Sequence, residues 1–250
     1  MKILLTNDDG IYSKGIEALY EALSVEHEVT VVAPETEQSA VGHAITWLDP
    51  LRVNLVNRNG HMFGHALKGT PADCVKIAVS ELMDPPPEIV VSGINLGANV
   101  GVNVIYSGTV SAATEAAVLG IPAIAVSIDS FMPVSFSAAI EFIPKLVGMV
   151  AKEGLPPGVC LNVNIPNLPA DKIRGVRITR QGNRRTLERY DRRIDPRNHV
   201  YYWLTNASIQ KDENHDADSC ALAMGYISVT PIHHDLTNYP MIEKLMQWCF

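Results

Sequence analysis

Cysteine is scarce in this chain: Cys74, Cys160, Cys220 and Cys249 are the only four in 250 residues, and no two lie close together. That scatter excludes a zinc-finger layout and a dense disulfide framework, and the expectation is four small buried hydrophobes. No apolar run reaches the roughly 18 residues that a membrane helix needs, and the start shows no basic, then apolar, then small-residue leader. A cytosolic protein with no membrane partner is therefore expected. Both common nucleotide fingerprints are missing as well. The glycines at 93, 97 and 101 do not make Gly-x-Gly-x-x-Gly, and no Gly-Lys followed by Ser or Thr closes a P-loop.

What is present is an ordinary globular balance, 47% hydrophobic over 250 residues, enough for one large α/β domain or one domain with an appendage. The net charge of -7 conceals an uneven distribution. Between Lys172 and Arg197 stand ten of the 20 Lys and Arg against three acids, so this segment is +7 and the remainder -14. Attraction of polyanions is one reading of such a segment. A solvated arm or subunit contact is the favoured one, because no nucleic-acid motif interleaves the arginines, and no stable nucleic-acid partner is expected.

The chain opens on Ile3-Leu4-Leu5-Thr6, the uninterrupted pattern of a strand buried on both faces, and runs straight into Asn7-Asp8-Asp9-Gly10. Two carboxylates thus sit at the carboxyl end of a core strand, where open α/β sheets bind ligands. Adjacent strand residues point to opposite faces, so the pair converges on one ion only if the chain has begun to turn, which Gly10 permits. A carboxylate that merely caps the turn is an equal alternative at this point.

Ser13 caps a predicted helix with Ile16, Leu19, Tyr20 and Leu23 on one face, and His27 to Ala33 follows as a second strand ended by Pro34. The small polar loop beyond it carries Ser39 and His43. Leu51 to Val56 and His61 to Leu67 predict a hairpin turning at Asn-Gly. Thr70-Pro71 starts a helix that Asp84-Pro85-Pro86-Pro87 stops. Glu88 to Ser92 is a buried strand, expected to discharge into a flexible glycine-rich loop holding Asn95. Ser107-Gly108-Thr109 then opens a small-residue helix ending near Gly120, whose free amides form a ready anion site. Ile121 to Ile128, Ser135 to Lys152 and Gly158 to Ile165 predict strand, helix and strand. Asn162 and Asn164 share one face of the last and read as structural pins. Alternating, aromatic sequence from Lys172 predicts an extended β appendage, Gly225 to Pro231 a returning core strand, and Met241 to Cys249 a final helix.

Asp8, Asp9, Ser39 and Asn95 therefore lie at the ends of successive core strands and offer only hard oxygen donors. That set selects Mg²⁺, Mn²⁺ or Ca²⁺ over zinc or copper. Two carboxylates leave a divalent ion nearly neutral, able to attract a phosphate held at residues 107 to 109. Metal-assisted phosphate chemistry is the reading that results.

The stretches Leu-Leu-Thr-Asn-Asp-Asp-Gly-Ile at 4 to 11, Gln-Ser-Ala-Val-Gly-His-Ala-Ile-Thr at 38 to 46, Gly-Thr-Pro-Ala-Asp-Cys-Val at 69 to 75, Ser-Gly-Ile-Asn-Leu-Gly-Ala-Asn-Val-Gly at 92 to 101 and Tyr-Ser-Gly-Thr-Val-Ser-Ala-Ala at 106 to 113 together resemble the survival protein E family of metal-dependent nucleotidases. The resemblance extends to the strand at 225 to 231. It implies an α/β fold with a three-layer, Rossmann-like, mostly parallel sheet, an extended β-hairpin and C-terminal elements. A catalytic core over 1–170 and a hairpin arm with a C-terminal oligomerisation region over 171–250 follow from it.

By the same resemblance, Asp8, Asp9, Ser39 and Asn95 would ligate one divalent ion, Mg²⁺ or Mn²⁺, with Asp8, Asp9 and Asn95 as the catalytic set. Ser107, Gly108 and Thr109 would hold the phosphate. His43 is either a general acid near the substrate or a loop histidine making a structural hydrogen bond. Either aspartate could orient the attacking water. The implied activity is a 5'-nucleotidase, with 3'-monophosphates and short polyphosphate as further substrates, in a homodimer or homotetramer that exchanges C-terminal elements. The rival is a non-catalytic, receiver-like binding module, which would need a third Asp at a later strand end where this chain has Ser92-Gly93-Ile94-Asn95. A haloacid-dehalogenase-like phosphatase would need Asp-x-Asp, and here the two aspartates are adjacent.

Overall fold

The computed structural model describes residues 1–250 except 133, 134, 211, 213, 249 and 250, with the backbone alone described at 185–187 and 206–210. Its core is a nine-stranded mixed sheet in the order β3-β4-β2-β1-β5-β6-β7-β11-β8, from β1 (Lys2–Thr6), β2 (Glu28–Pro34), β3 (Val53–Arg58), β4 (His61–Leu67), β5 (Ile89–Leu96), β6 (Ala123–Ile128), β7 (Val159–Ile165), β8 (Val176–Ile178) and β11 (Ile227–His233). The central run from β4 to β7 is parallel, while β3 joins β4 and β11 joins β7 antiparallel. A separate two-stranded antiparallel sheet, β9 (Arg185–Ile194) with β10 (Val200–Gln210), forms the arm.

Strand periodicity sorts the core onto two faces. Ile3, Leu5, Val31, Ala33, Val91 and Val126 pack with α1 (Lys14–Leu23) and α4 (Ser137–Glu153). Their neighbours Leu4, Val32, Val90 and Ala125 pack with α2 (Pro71–Ile77) and α3 (Gly108–Val118). Three layers result, because a strand apolar at every position must be covered on both sides. The remaining helices, α5 (Asp218–Ala223) and α6 (Tyr239–Leu245), belong to the C-terminal segment. Among the described residues no helix is long and apolar enough to cross a membrane.

Local chemistry sets the element ends. Ser13 accepts from Ile16 N at the start of α1, and Thr70 and Asp73 close a capping box around α2. Asn59 and Gly60 both take positive φ in the β3–β4 turn, the conformation that favours Asn-Gly there.

Two boundaries differ from expectation. Strand β5 does not stop at Ser92 but continues to Leu96, with a register shift against β6 between Ser92 and Asn95. Pairing of Asn95 with Ser127 and Leu96 with Ile128 outweighs the low strand propensity of glycine, so Asn95 stands on a bulged strand end, not in a flexible loop. The final helix starts at Tyr239, capped by Asn238, and ends at Leu245. Cys249, which the expected helix included, lies outside the described residues.

The structure explains why Asn162 and Asn164 are buried polar residues on a core strand. Asn164 Oδ1 accepts from Asn99 N at 2.8 Å, and Asn162 Nδ2 and Asn164 Nδ2 donate to Asn99 O at 2.8 and 3.1 Å. Both side chains pin the turn after β5. Asn164→Ala leaves the buried Asn99 N–H without that acceptor, so stability is expected to fall by about 1–3 kcal/mol. Urea denaturation of the variant beside the parent measures it, and an unshifted midpoint would show that the turn holds without its pin.

Candidate active site

The carboxyl end of β1 is turned by Asn7, whose Nδ2 donates to Gly10 O at 3.0 Å and Ser13 Oγ at 2.8 Å while its Oδ1 accepts from Gly10 N at 3.2 Å. This local knot ends the strand and lets Asp8 and Asp9 diverge from simple strand alternation. Asp8 is buried, with 5% of its surface exposed, and Thr109 Oγ1 donates to its Oδ1. A hydrogen bond from the Thr109 backbone N–H also reaches Asp8. The α3 start therefore already holds one anion, the Asp8 carboxylate. The expectation of wholly free amides there is corrected by this, and Thr109, fully buried, is committed to Asp8.

Gly108 makes the approach possible. A Cβ at this position would come within 2.8 Å of Asp8 Cβ and 3.0 Å of Asp8 Oδ2. Any larger residue would drive the helix and the carboxylate apart.

Asp9 is half-buried, its Oδ2 has no hydrogen-bond partner, and it receives a hydrogen bond from the Leu96 backbone. Burial first, then the neighbouring Asp8 and Glu37 carboxylates, push the Asp9 carboxyl up to about 7. Burial likewise raises Asp8 from the usual carboxylate range, against the pull of its Thr109 hydrogen bond. Glu37 is a third carboxylate near the pair that the sequence did not single out, since nothing in its loop position indicates which way it faces.

Asp8, Ser39, Asn95 and Ser107 line one cleft of about 220 Å³ at the carboxyl edge of the sheet. Asn95 donates its Nδ2 to Gly97 O at 2.7 Å, which leaves the amide oxygen as an unused acceptor. The exposed Ser39 hydroxyl donates to Glu37 Oε1 at 2.5 Å and keeps its lone pairs. Ser107 caps α3 through its Oγ, which accepts from Val110 N at 3.1 Å. Asp9, Gly108 and Thr109 are not among the residues that line the cleft.

His43 is elsewhere. Its Nε2 lies 2.7 Å from Glu115 Oε2 on α3, and Lys76 Nζ reaches Glu115 Oε1 at 3.0 Å. The hydrogen bond with His43, with help from Lys76, holds the Glu115 carboxyl below the usual range in spite of its burial. Of the two expectations for His43, the structure realises the structural hydrogen bond, which ties the 35–46 loop to α3. It does not bring His43 to the cleft.

Whether these residues suit a divalent cation can be judged from their chemistry. An orphaned carboxylate oxygen on Asp9, a second buried carboxylate, the Asn95 amide oxygen and the lone pairs of the Ser39 hydroxyl make an all-oxygen set, the kind that hard cations take. Among the described residues no lysine or arginine figures in what shifts Asp8 or Asp9. The residues fit such an ion.

Comparison with known proteins agrees with this site. The model of the family described as survival protein SurE matches residues 3–188. A protein of Syntrophobacter fumaroxidans named 5'-nucleotidase SurE is 75% identical over 248 residues, covering 99% of each chain. One of the same name from Desulfatibacillum aliphaticivorans is 52% identical over 99% of this chain and 98% of its own. The crystal structure of the SurE protein from Aquifex aeolicus superimposes with a TM-score of 0.85 at 40% identity, over 98% of both chains. A family model that spans most of the chain, together with relatives aligned over nearly its full length, makes this chain a member of the survival protein SurE family.

Proposed function

We propose that this chain is a divalent-metal-dependent 5'-nucleotidase, hydrolysing nucleoside 5'-monophosphates to nucleoside and phosphate, with 3'-monophosphates and short polyphosphate as secondary substrates. The observation that carries the reading is the convergence of Asp8, Ser39, Asn95 and Ser107 on one cleft at the strand ends. Full-length relatives named as 5'-nucleotidases support it and weigh against a receiver-like binding module.

In this reading Asp8, Asp9, Ser39 and Asn95 hold one Mg²⁺ or Mn²⁺. When bound, the ion supplies Lewis acidity toward a phosphoryl oxygen and lowers the pKa of a water. Thr109 fixes the Asp8 carboxylate through its hydroxyl, and Asn7 fixes the turn that carries both aspartates. Ser107, with the backbone of Gly108, holds the phosphate, while Thr109, the third expected contact, is committed to Asp8. Asp9, whose buried Oδ2 has no hydrogen-bond partner among the described residues, orients the attacking water. Hydrolysis breaks the phosphorus–ester oxygen bond as the water oxygen bonds to phosphorus, and the proton lost by the water balances the one gained by the leaving ribose oxygen.

The core over 1–170 carries this chemistry. The arm and C-terminal segment, 171–250, serve assembly into a homodimer or homotetramer, a role supported by the exposed Tyr190, Tyr202 and Trp203 on the β9–β10 ribbon. A cytosolic setting is consistent with the free thiols of Cys74, Cys160 and Cys220.

Phosphate release from AMP with Mn²⁺ or Mg²⁺ is expected to vanish on chelation and return when metal is restored. Asp9→Asn is expected to lower kcat/KM by more than the ~10–100-fold that losing an outer partner of a metal ligand costs. Hydrolysis that survives both chelator and substitution would rule the metal mechanism out. Thr109→Val, which removes the hydroxyl that holds Asp8, is expected to fall within that ~10–100-fold range. A titration of activity against Mn²⁺ should show the metal requirement moving to higher concentration, and an unmoved midpoint would remove Thr109 from the positioning of Asp8.

A further inference from the structure

A larger cavity, of about 370 Å³, opens beside the β3–β4 hairpin, with Gln38, Thr46, Asp49, Arg52, Lys68 and Thr70 in its wall. Two of these residues are cations set opposite one another. Arg52 and Lys68 lie one register step beyond the paired Val53 and Leu67, and Lys68 N donates to Arg52 O at 3.0 Å. Side chains directly opposite on antiparallel strands share a face, and like charges placed so weaken the pairing. No acid relieves them. Both side chains are exposed, and neither the Arg52 guanidinium nor the Lys68 ammonium has a hydrogen bond or ion pair among the described residues.

The rest of the wall divides into committed and uncommitted groups. Thr46 Oγ1 donates to Asp73 Oδ2 at 2.6 Å and Thr70 Oγ1 to Ala44 O at 2.7 Å, so both hydroxyl protons are engaged. Asp73 is buried, accepts from Thr46 N and Thr70 N as well, and does not line the cavity. Gln38 is half-buried, and its side-chain amide has no hydrogen-bond partner among the described residues. Asp49 is the opposing charge, an exposed carboxylate with no ion pair among the described residues. Two cations against one carboxylate leave this wall at +1 in a chain whose total is -7.

The donors select the class of ligand. A guanidinium presents a planar fork of N–H groups that an oxyanion accepts from bidentately, an ammonium adds a compact positive charge, and an amide adds two more N–H donors. Arriving from two strands and a loop, they reach an anion from several directions, which suits the tetrahedral oxygens of phosphate. The volume falls within the ~300–1,000 Å³ of small-molecule pockets, so the phosphate can be a free ion or part of a small organic ester.

We propose that Arg52, Lys68 and Gln38 form a second phosphate-binding site, separate from the cleft that holds Asp8 and Asn95. The two cavities share no lining residue, and they adjoin in sequence where Gln38 lines one and Ser39 the other. A phosphate seated here bears on the segment that presents Ser39. The site stands independently of the nucleotidase reading, since its ligand is bound and not cleaved.

The test is calorimetric titration of orthophosphate and of glucose 6-phosphate into the full chain, with chelator present so that no metal draws phosphate to the other cleft. The parent is expected to bind with a stoichiometry of one. Arg52→Gln and Lys68→Gln should each weaken binding by about tenfold or more, as loss of a hydrogen bond to a charged group does, and Asp49→Asn should tighten it. In phosphate-free buffer Lys68→Gln is expected to raise the urea midpoint, because it removes the repulsion across the strand pair, which separates lost binding from lost fold. Tighter binding of orthophosphate assigns the site to the free ion, and tighter binding of glucose 6-phosphate assigns it to a phosphate carried on a larger molecule. A parent that binds neither, or affinities equal in the parent and both Gln variants, would overturn the site.

Discussion

Two carboxylates buried next to one another, with no cation among the described residues to offset them, are the constraint around which this fold is arranged. Like charges at such a range raise each other's pKa and disfavour burial. The chain nonetheless keeps Asp8 beneath the start of α3 and Asp9 against the end of β5. Every nearby device serves to hold the pair: Asn7 knots the turn, Thr109 donates to Asp8, and Gly108 clears the space for it. Such an arrangement costs stability in the protein alone. The family to which the chain belongs is one whose named members cleave nucleotides, and the geometry accounts for how this scaffold supports that work.

The parallel sheet explains why these groups meet at all. In a sheet with β1 between β2 and β5, the loops after all three strands leave from the same edge, so residues far apart in sequence converge without long connections. The 35–46 loop is tied back through His43 to Glu115, through Gly42 N to Tyr106 O and through Gln38 N to Asp8 O. His43 thus contributes to the site by holding the loop that presents Ser39. A histidine beside an oxygen-rich site invites a catalytic role on composition alone, and here geometry assigns it a mechanical one.

Much of this architecture was legible in the residues, for identifiable reasons. Uninterrupted apolar strands, a Ser cap before a single apolar helix face and an Asn-Gly turn are local signals, and each corresponds to an element close to its expected bounds. The convergence of Asp8, Ser39 and Asn95 followed from topology, since strand ends in a parallel sheet share an edge. What could not be read was direction. The extension of β5 through its glycines depends on pairing with β6, and Thr109 turning to Asp8 depends on a helix approaching a strand from 101 residues away. Glu37 and Glu115 carry no periodic or motif signal, so only their surroundings reveal what they touch.

Asp218 sits far from the aspartate pair yet bears on the same cleft. Its buried carboxylate accepts from Gly101 N at 2.9 Å and Gly182 N at 3.1 Å, fastening the 97–106 turn to the root of the arm. The link spans 117 residues of chain. A polypeptide growing from its N-terminus can therefore complete the sheet from β3 to β7, with the turn pinned by Asn162 and Asn164, while one wall of the cleft still lacks its second anchor. The site reaches its final shape only once the arm has been made and its base has closed on the core, so nascent chains possess the scaffold well before they possess the enzyme.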